Sequence, residues 1–136
     1  MTTNVTDQAQ GWLQELFAPW VQALNLQVVL ADGGCAQLRL PFSPELCRQG
    51  GTVCGQALAS AADTAMVFAV SSQVGNFVPM TTVNLNINFM RAAAQTDVLI
   101  TARVVKPGRT LMFGNIDMTD EQGKLLAQAT TSYMLL

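Results

Sequence analysis

Residues 54–72, CGQALASAADTAMVFAVSS, decide the fold of this chain. They are mostly good helix formers and small residues, and such a segment is apolar around most of its circumference, which is typical of a helix buried on nearly all sides. The polar side chains before its last turn lie on one narrow stripe: Gln56, Ser60, Asp63 and Thr64. The carboxylate in this stripe needs an explanation, because an unpaired charge inside a protein is costly.

The segments on both sides of this helix predict strands. Residues 26–30 and 35–40 form two predicted strands, and the DGG sequence at 32–34 is a strong hairpin signal between them. From residue 82 to residue 89 polar and apolar residues alternate, which predicts a strand with a polar face made of Thr82, Asn84, Asn86 and Asn88. Turn sequences separate three further predicted strands, at residues 98–105, 110–119 and 124–136.

The order of the elements predicts the fold class. Apolar residues recur at helical spacing within residues 6–24, so we expect a helix there that Pro19 kinks or interrupts. The order is then a helix, two strands, the buried helix and four strands. One antiparallel sheet curled around one apolar helix satisfies it, which is an α+β hotdog fold. We expect a single domain over residues 1–136, with a helical segment at 1–24.

The composition predicts self-association. The chain has 136 residues, of which 50% are hydrophobic and only 12% are charged. A small monomer could hardly hide so much apolar surface, so a second copy is expected to cover part of it.

The absence of histidine excludes several kinds of chemistry. With no histidine in the chain, Ser-His-Asp and Cys-His catalysis, histidine metal sites and histidine-dependent dehydratase reactions are all excluded. The three cysteines form no C-x-x-C pair and leave one over. They therefore indicate reduced thiols rather than a disulfide framework.

Charge and hydropathy bear on partners and location. The net charge of −2 and the pI of about 4.8 argue against nucleic acid as a partner. The apolar stretch 57–70 is interrupted by Asp63 and is too short to span a membrane. The polar residues 1–10 do not resemble a signal peptide. We therefore expect a cytoplasmic protein without membrane contact.

Four stretches of the chain resemble the hotdog-fold acyl-CoA thioesterases of the phenylacetate-pathway, or PaaI-type, group. They are GGTVCGQALASAADTAM at 50–66, TTVNLNINFMR at 81–91, PGRTL at 107–111 and DEQGKLLAQATTSYMLL at 120–136. The resemblance covers about residues 26–136 in one order. It implies an acyl-CoA substrate, no cofactor and no metal, a homodimer as the minimal unit, and a tetramer of two dimers as the expected assembly.

The resemblance also implies catalytic roles for two residues on the central helix. In the family a histidine opens this helix, and the catalytic aspartate stands nine residues later; here these positions are Cys54 and Asp63. The glycine after the histidine, whose backbone N–H polarises the thioester carbonyl, corresponds to Gly55. Asp63 would act as a general base or as a nucleophile, and the sequence leaves both open.

Two further family positions complete the implied catalytic set. An asparagine or glutamine six residues before the histidine falls on Arg48, with Gln49 beside it, and a serine or threonine at the start of the next strand falls on Thr82. Arg48 departs from the family pattern, which keeps open a second interpretation, a non-catalytic hotdog protein that binds or senses acyl-CoA. Cys54 also departs from it, and a packing role is expected for Cys54 because no histidine can serve it as a base.

Other residues are candidate substrate contacts. Cys54, Gln56 and Thr64 lie on the central helix near the implied site, and the Thr64 or Thr82 hydroxyl is an expected donor to Asp63. Arg91 and Arg109 could meet the phosphates of a ligand, although both could equally be solvated surface charges.

The spacing of Gly55 and Asp63 on the central helix predicts a site shared between two chains. Gly55 and Asp63 are eight residues apart, or about 12 Å along a helix axis, and a single carbonyl group cannot touch both. If both act on one substrate, they come from two chains whose helices lie antiparallel across a two-fold axis.

Overall fold

The computed structural model describes residues 3–136 as one six-stranded antiparallel sheet curled around a long helix. The predicted α+β hotdog fold is confirmed. The elements are α1 (Thr6–Leu16), α2 (Pro19–Gln22), β1 (Gln27–Asp32), β2 (Cys35–Leu40), a 3-10 turn (Pro44–Leu46), β3 (Cys47–Arg48), β4 (Thr52–Val53), α3 (Gly55–Val74), β5 (Met80–Phe89), β6 (Val98–Lys106), β7 (Leu111–Thr119) and β8 (Leu125–Leu135). The strand order in the sheet is β1-β2-β6-β7-β8-β5, and a small β3-β4 hairpin lies outside this sheet.

Helix α3 is the centre of the core. It packs against β1, β2, β5, β6 and β7, and twelve of its twenty residues are buried. It ends at Val74 and is capped by Gly75, whose φ of 98° is the left-handed conformation that glycine adopts without strain at a helix C-terminus. α3 is longer than the apolar stretch 57–70, and by length and composition alone it could cross a membrane, but it is mostly buried inside the protein. It is the core helix of this fold.

The N-terminal segment forms two helices instead of the single helix predicted over residues 6–24. α1 ends at Leu16, Phe17 and Ala18 are extended with ψ angles of 156° and 145°, and Pro19 begins α2. A proline pushes the residue before it towards extended conformations and suits the first position of a helix. Pro19 therefore ends one helix and starts another, so the interruption is complete rather than a kink.

A β-bulge in β5 changes which side chains face the helix. Between Thr82 and Asn84 the pairing with β8 shifts by one residue, and the extra residue, Val83, is 55% exposed. A bulge of this kind reverses the alternation of the strand on one side of it. The prediction that Thr82 shares a face with the asparagines is therefore wrong: Thr82 points to α3, whereas Asn86 and Asn88 line the outer surface of the sheet.

Candidate active site

Asp63 lies in the middle of α3 and is held by two hydroxyl groups. Thr82 Oγ1 donates a hydrogen bond of 2.8 Å to Asp63 Oδ1, and the hydroxyl of Tyr133 donates to the same oxygen. The Tyr133 hydroxyl also lies 2.7 Å from the backbone carbonyl oxygen of Asp63. These hydrogen bonds offset the desolvation free energy of placing the Asp63 carboxylate on an otherwise apolar helix.

Tyr133 is a site residue that the sequence interpretation missed. It is the single tyrosine of the chain, it is 1% exposed, and it lies in β8 directly opposite Thr82. The sequence contained a signal for this contact, because a tyrosine on the inward face of a core strand needs a hydrogen-bond partner for its hydroxyl. The carboxylate on the buried helix, Asp63, is such a partner.

The surroundings of Tyr133 keep its hydroxyl protonated. Burial raises the pKa of this phenol well above its usual value, and the negative charge of Asp63 and the hydrogen bond to it raise the pKa further, while the Thr82 hydroxyl opposes them in part. Tyr133 is therefore a permanent hydrogen-bond donor to Asp63 near neutral pH.

The two oxygens of the Asp63 carboxylate are not equivalent. Both hydroxyl donors reach Oδ1, and within residues 3–136 no other group donates a hydrogen bond to the carboxylate. Asp63 is also partly exposed. Oδ2 consequently keeps its lone pairs for a water molecule or a substrate atom.

Gly55 lies at the N-terminus of α3, beside a separate cavity. It is the first residue of the helix, where N–H groups have no partner within the helix, and the preceding Cys54 makes no side-chain cap. The cavity has a volume of about 360 Å³, and Gly55, Arg48, Phe89 and Arg91 are among its lining residues. A Cβ atom on Gly55 would lie 3.4 Å from the Phe89 ring. Because glycine has no side chain, the backbone of Gly55 borders the cavity directly.

Within one chain, Gly55 and Asp63 do not meet. Asp63 is not among the residues that line the Gly55 cavity, and the eight residues between them span about 12 Å of helix. One chain thus presents the Asp63 carboxylate with its two donors, Thr82 and Tyr133. The backbone N–H of Gly55 lies elsewhere on the same chain.

The other candidate residues on α3 have different environments. Gln56 is exposed, and Cys54 is a half-buried free thiol. Thr64 is buried, and its hydroxyl donates to the backbone oxygen of Ser60 at 2.7 Å. Of the two threonines expected as donors to Asp63, only Thr82 reaches it, because the Thr64 hydroxyl is used within the helix.

The polar and basic candidates outside α3 are spread over the surface. Arg48 and Gln49 are both exposed at the β3–β4 turn, and Arg48 Nη1 donates to the backbone oxygen of Gln49 at 3.3 Å. Arg91 joins Arg48 at the Gly55 cavity, whereas Arg109 lies in the exposed turn between β6 and β7 and is not part of it. In the described part of the chain, no three His, Cys, Asp or Glu residues come close enough to hold a metal ion.

Comparisons with known proteins identify the family of the chain. Residues 50–127, more than half of the chain, match the model of the thioesterase superfamily. Acyl-coenzyme A thioesterase 13 of Homo sapiens is 44% identical over 52 residues, which are 37% of this chain and 37% of that protein.

Solved structures share the whole fold. The structure of zebra fish thioesterase superfamily member 2 has a TM-score of 0.83 and 29% identity, and covers 97% of this chain and 96% of that one. The E. coli PaaI protein from the phenylacetic acid degradation operon also has a TM-score of 0.83, at 21% identity, over 97% of this chain and 96% of that one. This second likeness concerns the fold. Together with the family match, these findings establish that the chain belongs to the thioesterase superfamily, has the PaaI-type hotdog fold and is a thioester hydrolase.

Proposed function

We propose that this chain hydrolyses acyl-CoA thioesters, with Asp63 as the catalytic carboxylate and the Gly55 N–H as the group that polarises the thioester carbonyl. The observation that carries the proposal is the Asp63 carboxylate itself. Thr82 and Tyr133 hold one of its oxygens, and the other is open. Coenzyme A as the thiol is supported by the similarity to the human acyl-coenzyme A thioesterase.

The open Oδ2 of Asp63 can act in two ways. As a general base it takes a proton from water, whose oxygen bonds to the carbonyl carbon; the C–S bond then breaks, and the thiolate takes up a proton to leave as the thiol. As a nucleophile it bonds to the carbonyl carbon itself and expels the thiol, and water then hydrolyses the mixed anhydride. In a single turnover in ¹⁸O-labelled water, label found in the Asp63 carboxyl group identifies the second case, because water that adds to the Asp63 carbonyl carbon of the anhydride leaves its oxygen on Asp63. A general base sends all of the label to the product acid.

The Gly55 N–H stabilises the thioester carbonyl oxygen as negative charge develops on it. A helix N-terminus combines unpaired N–H groups with a partial positive charge, which stabilises the negative oxygen that develops on the carbonyl. Because Gly55 and Asp63 of one chain are too far apart to share a carbonyl, the complete site combines Asp63 of one copy with Gly55 of a second. A homodimer with two shared sites is the smallest active unit under this proposal.

The test is the substitution Asp63→Asn. Turnover should fall at least about a hundredfold, because an amide cannot act as base or nucleophile. Thiol release from a panel of acyl-CoA substrates measures it, and circular dichroism with urea unfolding checks the fold. Asp117→Asn is the matched control, since Asp117 lies on the outer surface of the sheet and should keep wild-type turnover. A folded Asp63→Asn protein with near wild-type turnover would refute the mechanism.

A further inference from the structure

The cavity beside Gly55 carries two arginines and no carboxylate. Arg48 and Arg91 line it, and none of its other lining residues is charged. Both arginines are exposed. Within residues 3–136 neither of them forms a salt bridge, whereas two other arginines of the chain pair with aspartates. The cavity thus presents two positive charges that the described part of the chain does not neutralise.

Backbone contacts bring the two arginines to the same cavity, although they are far apart in the sequence. Arg48 lies in β3 and pairs with Thr52 of β4, and Thr52 forms a further bridge with the segment that follows β5. The N–H of Val53 donates a hydrogen bond of 3.0 Å to the backbone oxygen of Ala93 in that segment. These contacts hold the β3–β4 hairpin against the residues that carry Arg91.

The rest of the cavity lining is mainly apolar. Val53, Leu58, Phe89 and Met90 are part of it, and Val53 and Leu58 are each only 3% exposed. Methylene groups gain free energy when they leave water for contact with such side chains. A guanidinium group binds a carboxylate through two parallel hydrogen bonds. The lining therefore suits a ligand with a hydrocarbon chain and an anionic group.

The position of the cavity indicates which part of a thioester meets the arginines. With the carbonyl at the Gly55 N–H, the phosphates of coenzyme A are about a dozen bonds beyond the sulfur, or about 15 Å along an extended arm, and the groups in between are uncharged. The volume of about 360 Å³ is at the low end of the range of about 300–1,000 Å³ for drug-sized ligands. It does not hold the carbonyl, the arm and the phosphates together. The anion that Arg48 and Arg91 meet in this cavity therefore belongs to the acyl group.

We propose that the substrates of this protein are thioesters of short dicarboxylic acids, whose free carboxylate binds Arg48 and Arg91. Hydrolysis then releases the dicarboxylic acid and the thiol. The inference rests on the proposed function, because the role of the Gly55 N–H places the thioester carbonyl in this cavity. It assigns Arg48 and Arg91 as specificity-determining residues, and it gives a function to the arginine that departs from the family pattern at position 48.

The first experiment compares adipoyl and hexanoyl thioesters on the wild-type protein. The two acyl groups have the same chain length, but only adipoyl ends in a carboxylate. We expect kcat/KM for adipoyl-CoA to exceed that for hexanoyl-CoA at least about tenfold, because a site built to pair a polar group discriminates against the analogue that lacks it. The preference should persist with thioesters of N-acetylcysteamine, which carry no phosphate. Its absence in either series would contradict the inference.

The second experiment removes the charges one at a time. Arg48→Gln and Arg91→Gln should each lower the ratio of kcat/KM for adipoyl to that for hexanoyl at least about threefold, and the double variant should abolish the preference. Arg48→Lys keeps the charge without the forked geometry, so its ratio should be intermediate. Arg103→Gln is the matched control, because Arg103 pairs with Asp117 on the outer surface of the sheet; it should leave the ratio unchanged.

The contrary outcomes separate this inference from the proposed function. If the Arg48 and Arg91 variants lose activity equally on both acyl groups, the arginines act on the coenzyme or on the carbonyl, so the inference is wrong and the proposed function stands. If the variants keep the ratio but change the oligomeric state in size-exclusion chromatography, the arginines pair with a second copy and the inference is wrong as well. If the wild-type protein hydrolyses none of these thioesters, the proposed function fails and the inference falls with it.

Discussion

Two hydroxyl groups from different strands converge on one oxygen of Asp63, and this determines what that residue can do. Thr82 comes from β5 and Tyr133 from β8, and the two residues are direct neighbours in the sheet. Donors on Oδ1 stabilise the charged carboxylate and fix its orientation, and Oδ2 has no donor among the described residues. The two hydroxyl donors are therefore needed to hold the Asp63 carboxylate in place.

Tyr133→Phe tests this support at the level of a single hydroxyl. A hydrogen bond to a charged group contributes about 1.5–3 kcal/mol, so the free energy of unfolding in urea should fall by about that amount. The orientation of Asp63 should loosen as well, which we expect to lower kcat by about tenfold with little change in KM.

The control for this variant is Thr131→Val on the same strand. The Thr131 hydroxyl donates to the backbone oxygen of Asn84 at 2.7 Å and not to Asp63. Its loss should lower stability without changing kcat. Equal losses of kcat in both variants would mean that Tyr133 acts through general stability and not through Asp63.

The raised pKa of Tyr133 also predicts a loss of stability in alkali. Below its usual pKa of 10.0 this phenol is protonated in both the folded and the unfolded chain, so its contribution to stability is complete. Above pH 10 the unfolded chain loses the proton while the folded chain keeps it, and the free energy of unfolding should fall by about 1.4 kcal/mol per pH unit.

The variant Tyr133→Phe isolates this effect, because the chain has no other tyrosine. Urea unfolding of both proteins at about pH 9 and about pH 11 measures the difference, and lysine and cysteine titrations are common to both. The stability gap between wild type and variant should shrink as the pH rises. A gap that stays constant would contradict the burial of a protonated phenol.

At the scale of whole elements, α3 and β5 position the site in different ways. α3 is buried because its sequence is apolar on nearly every face, and this was readable from residues 54–72 alone. β5 places Thr82 towards α3 only because the bulge at Val83 shifts its pairing with β8. The alternation of the sequence predicted the strand but assigned Thr82 to the wrong face, since periodicity assumes a regular strand.

A better N-cap for α3 should stabilise the protein. Cys54 stands at the N-cap, with φ −69° and ψ 153°, and its side chain makes no capping hydrogen bond. Serine at an N-cap accepts a hydrogen bond from the first turn, so Cys54→Ser should raise the free energy of unfolding by about 0.5–1 kcal/mol. Because no histidine can activate the thiol, most of the activity should remain.

Cys35→Ser is the matched control, since Cys35 lies in β2 and caps no helix. It should give no gain in stability. An acyl group found on Cys54 by mass spectrometry during turnover would show instead that this thiol is a nucleophile.

At the scale of the whole molecule, the separation of Gly55 and Asp63 predicts that two damaged chains restore each other. Gly55→Val blocks the approach to the backbone N–H, and Asp63→Asn removes the carboxylate, so each homodimer should be nearly inactive. In a mixed dimer one site has both mutations and the other has both wild-type groups. Activity should return towards half of the wild-type value per mixed dimer, diluted by the homodimers that form again.

Mixing the two variants after reversible dissociation tests this, with differently tagged chains that purify together as proof of mixed dimers. Mixed dimers without activity would contradict the shared site. Asp63 would then act together with groups of its own chain, and the role proposed for the Gly55 N–H would be wrong.

The sequence by itself determined the hotdog fold and the carboxylate, and the tertiary structure decided what surrounds that carboxylate. An apolar helix with one acidic residue, a glycine hairpin at 32–34 and alternating strands are local patterns, and burial follows from them directly. The contact between Tyr133 and Asp63 joins residues 70 positions apart, and the face of Thr82 depends on one bulge. Such contacts depend on strand register and sheet curvature, which arise only when all the strands pair around α3.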